Sequence, residues 1–180
     1  MQYGKTEVAA KLSKKLNYNL YKASESFRQL ARDNNMDLLQ FNEYVKSNPD
    51  IDKNIELKTK EVIDSGNEII IDARLGFYLA KNAFRVYMVA NEDVAACRLF
   101  EAAKKRGKEE EYSSVEQAKE AIKIREASEQ ARYLKLYGVD IHNLDNYDYV
   151  IDTTKLSSDE VTLKIIRAYE VWCAVDFNEG

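Results

Sequence analysis

Gly4-Lys5-Thr6-Glu7-Val8-Ala9-Ala10-Lys11-Leu12 is the stretch on which the reading turns. Val8, Leu12 and Leu16 recur every fourth residue, the apolar stripe of a helix over 6–16. A Gly-Lys-Thr at the mouth of such a helix is the closing half of the phosphate-loop pattern G-x-x-x-x-G-K-[ST]. In that pattern the lysine reaches phosphate oxygens and the hydroxyl holds Mg²⁺. Free N–H groups at the helix start add partial positive charge. Gly4, Lys5 and Thr6 are therefore candidate phosphate ligands, with Thr6 as the metal-side hydroxyl. Only Met1, Gln2 and Tyr3 precede Gly4, so the pattern's early glycine and its preceding strand have no counterpart among these residues.

Outward from this stretch, short apolar runs alternate with amphipathic ones. Strands are expected at 18–21, 68–72, 85–90 and 149–152, the apolar run Glu68-Ile69-Ile70-Ile71-Asp72 being of the kind buried in parallel sheets. Helices are expected over 24–34, 36–45, 51–65, 92–103, 114–137 and 157–172. Asn48-Pro49 stops the third, Gly66-Asn67 the fourth, and Gly138 the long one. A charged run at 104–111 and a frayed acidic tail from Ala174 complete the chain. Strand–helix alternation means an α/β fold with a parallel sheet and right-handed crossovers.

Composition narrows the class. At 180 residues, with 45% hydrophobic and 32% charged residues, one compact domain is expected. The net charge of −4 argues against a dedicated nucleic-acid binder, and no apolar run is long enough to span a membrane. Cys97 and Cys173 share no motif spacing, so neither a disulfide framework nor a metal knuckle is expected, and a reducing cytoplasm is the default.

Several charged residues stand where phosphate chemistry would use them. Arg74 and Asp72 follow a buried strand, and ligands of open parallel sheets gather at strand C-termini. Arg28 lies just after another strand. Arg98, Arg106, Arg125 and Arg132 enrich one segment, and guanidinium forks match phosphate oxygens. Taken singly, each is equally a solvated helix arginine, and Asp72–Arg74 equally an ion pair at the sheet edge. Asp50, Asp52 and Glu56 suit a helix N-terminus, where acids are favoured, and could also accept from the exocyclic amine of a base. His142, the sole histidine, has no nucleophile context and reads as structural or exposed.

Together these motifs resemble the short, archaeal-type cytidylate kinases, members of the P-loop nucleoside monophosphate kinases, over almost the whole chain. Ala23-Ser24-Glu25-Ser26-Phe27-Arg28 looks like the family's S-A-G-[ED]-x-F-R, and Asn48-Pro49-Asp50-Ile51-Asp52 like its H-P-E-I-D. Ile71-Asp72-Ala73-Arg74-Leu75 is similar to its E-G-R-L. The longest match runs from Arg125-Glu126 through Ser128-Glu129, Arg132-Tyr133 and Tyr137-Gly138-Val139-Asp140-Ile141 to Tyr147-Asp148-Tyr149-Val150-Ile151-Asp152-Thr153. Asp72-Ala73 stands where the family has Glu-Gly, and Asn48 where a histidine is common.

The resemblance implies a P-loop nucleoside kinase-like three-layer α/β fold as a single domain over 1–180. Within it, 27–62 would be a helical acceptor-binding segment and 102–124 a lid. It implies ATP and Mg²⁺ as donor and cofactor, held by Gly4, Lys5 and Thr6, and transfer of the γ-phosphoryl group to CMP or dCMP. Arg28, Arg74, Asp72 and Asp52 would bind the acceptor, and Lys5, Arg125 and Arg132 would be catalytic, with Arg98 and Arg106 as further lid-side arginines. A cytoplasmic monomer or homodimer acting on small nucleotides, without nucleic acid or membrane, is expected. In this fold the first strand lies at the centre of the sheet. The expectation is therefore of two exposed strand edges and weak ATP binding. Either Met1 is internal to a longer natural protein, or the sheet is rearranged with another strand or subunit in the gap. The alternatives are a non-catalytic nucleotide-binding or interaction protein on the same scaffold, and a P-loop kinase for another small molecule.

Overall fold

The computed structural model describes residues 4–66, 68–106 and 112–176, with nothing beyond the backbone for Arg106 and Asp176. Its elements are α1 (Lys5–Leu16), β1 (Asn19–Lys22), α2 (Ala23–Asp33), α3 (Leu38–Ser47), α4 (Pro49–Asp64), β2 (Ile69–Asp72), α5 (Gly76–Leu79), β3 (Val86–Val89), α6 (Glu92–Arg106), α7 (Val115–Tyr137), β4 (Tyr149–Asp152) and α8 (Ser158–Asp176).

Local chemistry sets most boundaries. Asp37 and Gln40 form a reciprocal capping box at α3, and Pro49 occupies the first turn of α4, where its missing N–H costs nothing. Ser114 accepts from the Gln117 amide to start α7, and Gly138, at φ 66°, ends it in the left-handed region. Gly4 opens α1 at φ 98°, a conformation that a side chain would strain.

The strands form two parallel pairs. Asn19, Leu20, Tyr21 and Lys22 run beside Ile69, Ile70, Ile71 and Asp72, and Val86 to Val89 beside Tyr149 to Asp152. Among the described residues β2 pairs only with β1, and β3 only with β4. A cavity of about 670 Å³, lined by Ile69–Ile71 of β2 and by Val86 and Met88 of β3, touches both pairs. The expected parallel α/β architecture holds, with the sheet in two halves. Val8 and Leu12 of α1 pack with Met88, Ile151, Val161 and Ile165, and Ile70 of β2 leans on the same cluster, so α1 joins the halves.

Three further apolar clusters hold the helices. Ala95, Ala96 and Leu99 of α6 pack on Ala118 and Ile122 of α7. Ala31 of α2 packs on Phe41 and Val45 of α3. Leu75, Tyr133 and Ile141 seat α7 on the loop after β2.

Some sequence expectations need correction. The four-residue helix Gly76–Leu79 and the 3₁₀ turn Leu144–Asn146 were not anticipated, being too short to show a period. The expected C-terminal stop at Gly66-Asn67 falls one residue late: the cap is Ser65, in right-handed geometry, and Asn67 lies outside the described residues. The expected fraying from Ala174 does not occur before Asp176, since α8 continues there. Helix α6 runs to Arg106, into the expected charged run, whose residues 107–111 lie outside the described residues.

Candidate functional site

The C-terminal ends of β1 and β2 and the N-terminus of α1 open on a cavity of about 570 Å³. Gly4, Lys5 and Thr6, Arg28, Asp52, Asp72, Arg74, Arg125 and Arg132 all line it. Every site residue expected from the sequence in this set is therefore brought together, from positions as far apart as 4 and 132.

Asp72 is the hub of one end. It terminates β2 and is buried; Thr6 Oγ1 donates to its Oδ2 at 3.1 Å, and Lys5 Nζ lies 3.4 Å from its Oδ1. Burial pushes the Lys5 ammonium below its ordinary range, the Asp72 carboxylate works against that, and Arg74 adds to it. The hydroxyl of Thr6 and the carboxylate of Asp72 are hard oxygen donors. With substrate phosphates they suit Mg²⁺, which uses one or two carboxylates and keeps its remaining positions for phosphate and water. The donor set present thus fits that ion.

Glu129 is the hub of the middle. It projects from α7, buried, with Arg125 Nε donating to Oε1 at 2.9 Å and Arg74 Nε 2.8 Å from Oε2. Burial disfavours its ionisation. Arg74, Arg125 and Arg132 outweigh that and hold its pKa down at about 2. One carboxylate thereby sets two guanidinium groups facing the cavity. Sequence reasoning quoted Glu129 within a motif but gave it no role. The signal was there: Arg125, Glu129 and Arg132 sit at helical spacings of four and three.

The third cluster lies where α4 meets α7. Asp52 and Arg132 are both buried, with Arg132 Nε 2.6 Å from Asp52 Oδ2. The contact is ionic and poorly aligned for a hydrogen bond, and Arg132 Nη1 is buried with no hydrogen-bond partner among the described residues. The Tyr133 ring lies 5.3 Å from the Arg132 guanidinium carbon. Glu56, one turn on from Asp52, lines the same cavity. Burial, reinforced by Asp52 and opposed by Arg132, raises its carboxyl to about 7.

Of the remaining expected residues, Arg98 also lines this cavity, whereas Asp50 and His142 do not. Asp50 is exposed and paired with Lys53 at 3.2 Å. Arg98 lies beside Gly4 and donates to Thr153 Oγ1 at 2.9 Å, Thr153 O at 2.7 Å and Leu156 O at 3.3 Å, which fixes it to the loop after β4. His142 is exposed, its Nδ1 3.0 Å from the Tyr87 hydroxyl. No group of three or more metal-ligating side chains occurs among the described residues, and no helix among them is long and apolar enough to cross a membrane.

These features define a P-loop nucleoside kinase-like fold, with Gly4-Lys5-Thr6 at the N-terminus of α1 and an arginine-lined cavity at the strand ends. The model of the cytidylate kinase-like family matches residues 2–155, and the chain belongs to that family. It is 35% identical over 168 residues to the cytidylate kinase of Methanobrevibacter smithii, covering 93% of each chain. It is 32% identical to that of Archaeoglobus fulgidus, over 93% of this chain and 89% of the relative. For the cytidylate kinase of Pyrobaculum neutrophilum the identity is 36%, over 86% and 80%. Among solved structures, an uncharacterized protein from Eubacterium ventriosum superposes with a TM-score of 0.66 at 17% identity, over 94% of this chain and 93% of that one, which speaks to the fold alone.

Proposed function

We propose that this chain transfers the γ-phosphoryl group of ATP to CMP or dCMP. The observation that carries the proposal is the single cavity in which Lys5, Thr6 and Asp72 face Arg74 and Arg125, in a chain whose relatives are cytidylate kinases. An oxygen of the acceptor's phosphate attacks the γ-phosphorus, the bond to the β–γ bridging oxygen breaks, and ADP leaves with that electron pair. Little covalent chemistry falls to the protein, so positioning and neutralisation of charge do the catalysis.

The roles follow from position. Gly4 lets the backbone approach the phosphates, and Lys5 bridges them. Thr6 and Asp72 would hold Mg²⁺, which would supply charge neutralisation at the phosphate oxygens. Arg28 and Arg74 grip the acceptor phosphate. Arg125, fixed by Glu129, neutralises the transferring group. Arg132 is held by Asp52 at the α4 end, which supports a place near the acceptor. The segment 27–62 carries Arg28 and Asp52 to that end, consistent with acceptor binding, and 102–124 is proposed as the lid.

Lys5→Ala is the first test. The variant is expected to keep the wild-type melting temperature within a few degrees and to lose at least a hundredfold in phosphoryl transfer, as removal of one preorganised charge-stabilising group typically does. Turnover unchanged in a folded variant would defeat the assignment.

A further inference from the structure

We infer that Glu56 and Arg132 together read the Watson–Crick edge of the acceptor's base, and that Glu56 is the residue that separates cytosine from uracil. This rests on the kinase reading above and names the specificity device of the same cavity.

Three observations lead there. First, the α4 end carries more acid than base. Asp52 is already engaged by Arg132, and Glu129 by Arg74 and Arg125, whereas Glu56 makes no hydrogen bond or ion pair among the described residues. Second, Arg132 holds a buried Nη1 with no hydrogen-bond partner there, a donor whose burial is costly until something accepts from it. Third, Phe27 and the buried Ile55 line the same cavity and offer apolar surface for a planar ring. A vacant acceptor and a vacant donor in one cavity, with apolar surface lining it, complement a ring edge that both donates and accepts.

Cytosine presents that edge. Its N4 amino group donates, which suits a carboxylate, and N3 and O2 accept, which suits a guanidinium. Uracil reverses both positions: O4 would face the Glu56 carboxylate, and N3–H would face Arg132. Asp52 touches neither atom in this scheme. It positions Arg132, whose Nε it holds at 2.6 Å.

Protonation supports the geometry. Glu56 titrates near neutrality, because burial and Asp52 raise it against the pull of Arg132. Tyr133 and Tyr137 of α7 share its field, and Tyr78 of α5 packs on Tyr137. On the α2 side Arg28 lines the same cavity, while Glu43 and Lys46 of α3 pair with each other. Above about pH 7 the carboxylate accepts from N4. Below it the carboxyl can donate to O4 of uracil, so the preference for cytosine narrows.

The test is equilibrium titration of CMP and of UMP, without ATP, into the wild-type chain and into Glu56→Ala and Glu56→Gln. At pH 8 the wild type is expected to prefer CMP by at least tenfold, and at pH 6 by severalfold less. In Glu56→Ala the preference should shrink to within about threefold through weaker CMP binding, because a site built around a hydrogen bond discriminates only while it keeps both partners. Glu56→Gln, whose amide both accepts and donates, should narrow the preference to within about threefold, with a CMP-to-UMP ratio that does not change between pH 6 and 8. A tenfold preference that survives in both variants would overturn the inference and leave the kinase reading standing. So would equal binding of the two nucleotides by the wild type. A wild-type chain that binds neither would overturn both.

Discussion

Asp72 and Glu56 are two carboxyls of one cavity placed in opposite situations. Asp72 is surrounded by the hydroxyl of Thr6 and the ammonium of Lys5, and it ends a strand that fixes its direction. Glu56 has burial that Arg132 offsets only in part, and the consequence is a stability that depends on pH. Its folded-state pKa, about 7, lies above the ordinary 4.5, so between those values the folded chain keeps a proton that the unfolded chain has released. The corresponding stability is fully present below about pH 4.5 and is lost as pH rises through about 7. Glu56→Gln removes the titration. The variant is expected to match the wild type near pH 4.5 and to exceed it at pH 8 by on the order of 2 kcal/mol, allowing for solvent screening. Thermal melts across that range check this, and a variant less stable than wild type at pH 8 would contradict it.

At the scale of elements, α7 is the spine of the site. It supplies Arg125, Glu129 and Arg132 on one side, while Ala118 and Ile122 bury against α6. Removing the Glu129 charge leaves two partly buried arginines facing one another without their common partner. Glu129→Gln is therefore expected to lose about 3 kcal/mol of stability and to weaken CMP binding, measured by denaturant unfolding and titration. A loss below about 1 kcal/mol would contradict this. Ile122→Ala should cost about 2–5 kcal/mol, as a fully buried side chain lost between two helices.

The span of α7 was legible in the sequence because Ser114 and Gly138 mark its ends chemically. Its partners were not, since helical spacing shows which residues share a face and never what lies opposite. The gathering of Lys5, Arg28 and Arg74 was likewise inferable only through motif resemblance, since they lie at the start of α1, within α2 and in the loop after β2. The ionic partners of Asp52 and Glu129 depend on how α4 and the loop after β2 meet α7, a tertiary fact with no local signature.

For the whole molecule, the two parallel half-sheets and the cavity touching β2 and β3 bear on function. Among the described residues the groups proposed to meet the donor's phosphates are the first N–H groups of α1 and the Lys5 ammonium, and Lys5 is already shared with Asp72. The acceptor end has its charges in place independently of those N–H groups, so nucleotide selection should persist even where the donor is held weakly. The most direct measurement is label transfer from γ-³²P-ATP, in millimolar excess with Mg²⁺, to CMP, dCMP, UMP and AMP in parallel. The account predicts label in CDP and dCDP at rates at least tenfold above those for UDP and ADP. Label absent from CDP, or appearing first in ADP, would contradict it.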